Sequence, residues 1–134
     1  MSPQVQIDLA FPAEPESAPQ FRSALRAFLE DACVEREKIN DVVLAAGEAA
    51  GNAIEHAYRG RTGTFRLKAV LGPDRLVVEV WDMGRWRLDG DPERGRGLGI
   101  MRALVDDVAI ESTRSGTSVK LVLALAGEPA SGER

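Results

Sequence analysis

Cysteine and histidine occur once each, as Cys33 and His56, in a chain of 134 residues. One thiol permits no internal disulfide, and one thiol with one imidazole supplies neither a cysteine-based metal cage nor a site needing two histidines. Positive charge is not in excess either. The 17 Lys and Arg residues stand against 21 Asp and Glu, interspersed rather than gathered, for a formal net charge of −4. Such a chain lacks the basic stripe that neutralises phosphates in nucleic-acid-binding proteins, so nucleic acid is not an expected direct partner. No stretch approaches the roughly 18 consecutive apolar residues of a membrane span, and the first residues have neither the basic start nor the apolar run of a signal peptide. The expectation is a cytoplasmic protein with no membrane association. What is present, 44% hydrophobic and 28% charged residues, suits one globular domain with a single core, too short for two.

Hydrophobic periodicity divides the chain. Val5, Ile7 and Leu9 alternate as a short strand, followed by a Pro-rich stretch over residues 11–19. Ser17 and Gln20 have the spacing of a capping box, and Phe21, Leu25, Phe28, Leu29 and Ala32 then recur at helical intervals to about Val34. A second helical stripe runs through Ile39, Val42, Val43, Ala46, Ala50, Ala53, Ile54 and Ala57, ending near Gly60 and Gly63. The period then changes to two. Phe65, Leu67, Ala69 and Leu71 alternate with polar residues, Gly72-Pro73-Asp74 forms a turn, and residues 76–81 supply the second arm of a hairpin. A polar loop rich in Gly and Arg spans 82–97, a short helix 98–105, a strand 108–111, and a last strand 119–125 after a Ser115-Gly116-Thr117 turn. There is no internal repeat or linker, so 1–134 reads as one domain with its core over about 5–126 and a frayed tail at 127–134. Two or three helices grouped early with about five strands predict an α+β two-layer sandwich.

Three segments could carry chemistry. Glu48, Asn52 and His56 lie four residues apart, which stacks them along one side of the second helix. A carboxylate there can take a proton from a nucleophile, and an amide oxygen one turn away can ligate Mg²⁺, which prefers oxygen and retains several waters. The same row equally describes a solvated helix face, since it falls roughly opposite the apolar stripe. Asp82 closes a strand and Gly84 follows two residues later; a carboxylate there can accept from an exocyclic amino group, while glycine lets a flat ring approach the backbone. A simple turn explains the pair as well. The protein-kinase Asp-Phe-Gly reading fails, because the companion motifs are missing. Finally, Gly95-Arg96-Gly97-Leu98-Gly99 stands before an apolar helical segment, where backbone N–H groups could converge on phosphates. Arg85, Arg87, Arg94 and Arg96 surround it with guanidinium groups suited to bidentate phosphate contacts. Neither the Walker nor the Rossmann spacing is met, and a solvated surface loop is the alternative.

The order of these motifs is more specific than any one of them. Glu-x3-Asn-x3-His on a helix, Asp-x-Gly after a strand, Gly-x-Gly-Leu-Gly before a helix and Gly-Thr entering the last strand resemble the histidine-kinase-like ATPase superfamily, over nearly the whole chain. Within it, the chain is similar to the small anti-sigma factor serine kinases of the RsbW and SpoIIAB type. The resemblance implies a Bergerat-type fold, a mixed and mostly antiparallel sheet with helices on one face. It implies that Glu48 is the general base, that Asn52 holds Mg²⁺ at the ATP phosphates, and that Asp82 receives the adenine amino group with Gly84 beside the ring. Gly95, Arg96, Gly97, Leu98 and Gly99 would wrap the phosphates, Thr117 would lie near the adenine, and His56 would be structural. It further implies transfer of the γ-phosphoryl group of ATP to a serine of an anti-anti-sigma partner of the STAS type, sequestration of a sigma factor, and a homodimer through the N-terminal strand and helix. Where the family often has a second glycine after Gly84, this chain has Trp86. The alternative in another class is a regulatory module that keeps the fold and acts only by binding a partner. An ATP hydrolase coupled to conformational change would need a transducer domain that the chain does not contain.

Overall fold

The computed structural model describes residues 5–57, 63–83, 92–113 and 115–125, with the backbone alone at 56, 57 and 92–96. In chain order the elements are β1 (Val5–Pro12), α1 (Ser17–Asp31), α2 (Arg36–Asn52), a π-helical turn (Ala53–Ala57), β2 (Thr64–Leu71), β3 (Arg75–Asp82), α3 (Pro92–Leu104), β4 (Asp107–Thr113) and β5 (Gly116–Ala124). The strands form one sheet in the order β1-β2-β3-β5-β4. Each of its four pairings is antiparallel, so no parallel pair of the expected mixed sheet occurs among the described residues.

Period-two alternation sets the faces of this sheet. Phe65, Leu67 and Ala69 of β2, Leu76, Val78 and Val80 of β3, and Val119, Leu121 and Leu123 of β5 are buried on the side that meets the helices. The β2–β3 turn closes where expected, with the Gly72 N–H donating to the Arg75 carbonyl at 2.9 Å. On the other face, Arg66 links three strands, pairing with Asp8 at 2.6 Å and lying 5.7 Å from the Trp81 ring centroid. The helix layer places α2 between α1 and α3 and over β3 and β5. Ala45, Ala46, Ala49, Ala50 and Ala53 are all buried, because small side chains let the central helix approach neighbours on three sides. A Phe11, Phe21 and Phe65 cluster, with ring centroids 5.6–5.9 Å apart, joins β1, α1 and β2.

Several local expectations change. Phe11 and Pro12 belong to β1, and Ser17 to Pro19 to α1, so the Pro-rich linker is shorter than its composition suggests. No capping box forms: the Ser17 N–H donates to the Glu14 carbonyl, the helix starts at Ser17 after Glu16, and no side chain caps it. At the other end, Cys33 takes φ +61°. The Val34 and Cys33 N–H groups donate to the Leu29 and Glu30 carbonyls, a Schellman motif that ends the helix before Val34. Strand β5 begins at Gly116, so Gly116 and Thr117 lie in a strand rather than in the preceding turn. The tail at 127–134 lies outside the described residues.

Candidate functional site

Helix α2 carries Glu48 and Asn52 on successive turns, both half-buried. They do not form a solvated face. The reason is α3, whose buried Gly97 sits directly against them: a Cβ at Gly97 would lie 3.4 Å from Glu48 Oε1 and 3.8 Å from Asn52 Nδ2. Sequence periodicity places the pair opposite the core stripe, but it cannot show that a third helix packs on that side. The row does not continue regularly to His56. Past Asn52 the backbone widens into the π-helical turn, which packs on β3, and single π turns of this kind are frequent at functional sites. The side chain of His56 lies outside the described residues.

The glycine run is not a loop. Gly95, Gly97 and Gly99 all fall within α3, which begins at Pro92. Proline at the first helical position favours this start, since Pro needs no N–H there. Beyond the first turn the N–H groups are committed to carbonyls four residues back. The expected convergence of the glycine N–H groups on phosphates is therefore absent from this conformation. Leu98 is half-buried in the same helix. The side chains of Arg94 and Arg96, and all of Gly84, Arg85, Trp86 and Arg87, lie outside the described residues.

Asp82 ends β3 with only 3% exposure, and Thr117 of β5 is 1% exposed. The strand register makes them cross-strand partners. Alternation explains their burial: Asp82 follows Leu76, Val78 and Val80 on the helix-facing side, and Thr117 precedes Val119 and Leu121 on the same side. A carboxylate and a hydroxyl thus stand together at the end of an otherwise apolar face, where a polar group is retained only with hydrogen-bonding partners. A cleft of about 390 Å³ at this end of the sheet is lined by the row Trp81, Ser118 and Glu111 of the face opposite the helices, and reaches Asp82, Met83 and Thr117 at the strand ends. The residues singled out by sequence thus form two described groups, Glu48 and Asn52 beneath Gly97, and Asp82 beside Thr117. Sequence reading missed Ser112, whose hydroxyl lies 3.3 Å from that of Thr117, and gave Gly116 a place in the Gly-Thr motif but no role in the site. The position of Ser112 opposite Thr117 depends on hairpin register, which spacing alone does not reveal. Among the described residues no cluster of three or more His, Cys, Asp or Glu side chains could hold a metal ion. No described helix is long and apolar enough to cross a membrane.

Comparisons with known proteins identify the family of the fold. The family model for the histidine kinase-like ATPase domain matches residues 11–123. The anti-sigma F factor of Clostridium acetobutylicum is 28% identical over 131 residues, covering 88% of this chain and 91% of that protein. The serine-protein kinase RsbW of Bacillus velezensis is 30% identical over 140 residues, covering 91% of this chain and 87% of that protein. Among solved structures, the RsbU and RsbW domains of a Mycobacterium tuberculosis protein superpose with a TM-score of 0.73 at 28% identity. That match covers 92% of this chain and spans 33% of the longer protein. The polar end of the sheet, the Glu-Asn pair beneath a glycine-bearing helix and the extent of these matches lead to one assignment: the chain belongs to the histidine kinase-like ATPase family, alongside the anti-sigma F factors and RsbW serine-protein kinases.

Proposed function

We propose that this protein is an ATP-dependent protein-serine kinase and anti-sigma factor, which phosphorylates a serine of an anti-anti-sigma partner of the STAS type and sequesters a sigma factor. The observation that carries the reading is the seating of Gly97 on the Glu48 carboxylate and the Asn52 amide. It brings the glycine run, a candidate phosphate cradle, against the carboxylate that would act as base. In the reaction, the serine oxygen forms a bond to the γ-phosphorus, the bond from that phosphorus to the β,γ-bridging oxygen breaks, ADP leaves and Glu48 accepts the serine proton. Positioning and charge neutralisation supply most of the acceleration in such transfers. The Asn52 amide oxygen is a hard donor suited to Mg²⁺, which would offset phosphate charge when bound. Asp82 accepts from the adenine amino group, with Thr117 beside it.

Contact with phosphates by the Gly97 and Gly99 N–H groups requires the first turns of α3 to unwind, because those groups are otherwise spent within the helix. Partner exchange follows if the sigma factor and the anti-anti-sigma protein compete for one surface, with nucleotide and phosphorylation deciding between them. A homodimer through β1 is consistent with its position at the sheet edge and with Val5 and Leu9, exposed at 50% and 39%. The test is transfer of labelled γ-phosphate to an anti-anti-sigma protein by the wild type and by Glu48→Gln. Retained ATP binding with transfer lost supports the role of base, whereas transfer at the wild-type rate removes Glu48 from the mechanism. ATP binding with no transfer by the wild type would instead favour a module that acts only by gripping its partner.

A further inference from the structure

We propose that the β4–β5 hairpin positions the nucleobase-recognition groups, with Ser112 and Gly116 as positioning residues; this rests on the reading of Asp82 and Thr117 as adenine-facing. Across the middle of the sheet, the rows facing the helices are apolar: Val80, Val119 and Ile110 form one, and Val78, Leu121 and Val108 the next. The terminal row differs. Asp82 pairs with Thr117, and Thr117 with Ser112, so a carboxylate and two hydroxyls stand on three adjacent strands in register.

A hydrogen bond and a close backbone approach help to hold this row. The Ser112 and Thr117 hydroxyl oxygens are 3.3 Å apart. Because each hydroxyl has one proton, this bond limits the direction in which Thr117 can present its proton or lone pairs to a ligand. Gly116 acts through the backbone. It has φ +143°, and a Cβ there would overlap the Asp82 carbonyl oxygen while lying 2.8 Å from the Asp82 carbonyl carbon and 2.9 Å from Met83 Cα. Those neighbours are main chain and cannot swing aside, so β5 starts against the Asp82–Met83 peptide only because residue 116 has no side chain. Thr113 latches the turn: its hydroxyl accepts from the Ser115 N–H at 3.1 Å and donates to the Gly116 carbonyl at 3.4 Å. The hairpin therefore serves as a backstop for the peptide that carries the Asp82 side chain and as a guide for the Thr117 hydroxyl.

The chemistry at stake is base discrimination. Adenine offers an amino donor where guanine offers a carbonyl acceptor, and a carboxylate accepts from the first and repels the second. Misplacing the row should therefore lower ATP affinity more than GTP affinity, a change that general loss of stability does not produce.

The experiment is calorimetric titration of the full chain with Mg·ATP and Mg·GTP, for the wild type, Ser112→Ala, Ser112→Thr, Gly116→Ala and Asp82→Asn. Ser112→Ala should raise the ATP Kd by about three- to tenfold, the worth of one ordinary hydrogen bond, and shrink the preference for ATP over GTP. Ser112→Thr should restore both. Gly116→Ala should retain its far-UV circular dichroism and lose more ATP affinity than Ser112→Ala, since it displaces the peptide that carries Asp82 rather than removing one hydroxyl. Should Gly116→Ala fail to fold, the exposed Ser112 pair still decides the matter. Wild-type nucleotide preference in Ser112→Ala, or equal losses in Ser112→Ala and Ser112→Thr, overturns the proposal. If Asp82→Asn lowers ATP affinity while the Ser112 variants do not, the hairpin role fails alone; if Asp82→Asn also leaves ATP affinity unchanged, the nucleotide reading fails with it.

Discussion

Replacing Gly97 and Gly99 together by alanine should stabilise the nucleotide-free protein and weaken its hold on ATP. Both positions lie inside α3. A Cβ at Gly99 would meet nothing within 4 Å, and at Gly97 its nearest neighbour would be Glu48 Oε1 at 3.4 Å. Neither site is sterically closed to a methyl group, so the intrinsic helix preference of alanine over glycine, about 1 kcal/mol per site, is available at both. The sum is about 2 kcal/mol, and for a chain of this size that raises Tm by about 6 °C. If the run must leave the helix to contact phosphates, binding has to overcome the same 2 kcal/mol, and the Kd for Mg·ATP rises about thirtyfold. Thermal unfolding without nucleotide and titration calorimetry with Mg·ATP measure the two effects on one pair of proteins. A higher Tm with unchanged ATP affinity would refute the unwinding step. A Tm that does not rise would refute the helical energetics on which the argument depends.

Other outcomes follow from single contacts. Asn52→Ala should weaken ATP binding much more in Mg²⁺ than in EDTA, and equal losses in both would contradict its role as a metal ligand. Cys33→Gly should raise stability by about 1 kcal/mol, because the left-handed conformation at φ +61° costs a β-carbon-bearing residue about that much; denaturant titration showing no gain would place the cost elsewhere. Asp106 accepts from the Ala124 N–H at 2.7 Å and donates its own N–H to the Val122 carbonyl at 2.9 Å. Asp106→Ala should therefore cost about 1 kcal/mol and Asp106→Asn, which keeps an acceptor, less; equal losses in denaturant titration would show that the acceptor contributes nothing. Phe21, with no exposure and two ring neighbours within 6 Å, should cost about 3–5 kcal/mol when cut to Ala, measured by the same method.

Much of this protein is legible in its sequence because period and position are local properties. Alternation from Phe65 to Leu71 and from Leu76 onward sets the hairpin and, by parity alone, puts Asp82 on the same face as Val78 and Val80. The spacing of Phe21, Leu25 and Leu29 gives α1 its buried stripe. The four-residue interval between Glu48 and Asn52 gives one shared helix side, and the order of the motifs gives the family. Other features depend on what lies opposite. Ser17 has the residue types of a capping box, yet a hydrogen bond to Glu14 draws it into the helix, a choice settled by the path of the preceding chain.

Whether the Glu48 and Asn52 side chains meet water or protein is equally invisible to periodicity, since their neighbour Gly97 is brought over them by the return of α3. Three glycines in five residues suggest a loop by propensity, whereas packing of α3 along α2, with Met101 buried, outweighs about 1 kcal/mol per glycine and holds a helix. The need for glycine at 116 and the pairing of Ser112 with Thr117 arise only when β5 is laid between β3 and β4. Sequence alone thus determined the hairpin, the cores of α1 and α2, their inward faces and the identity of the chemical groups, because these follow from the chain's own repeat. Tertiary structure alone decided which groups face one another, because that depends on contacts between segments far apart along the chain.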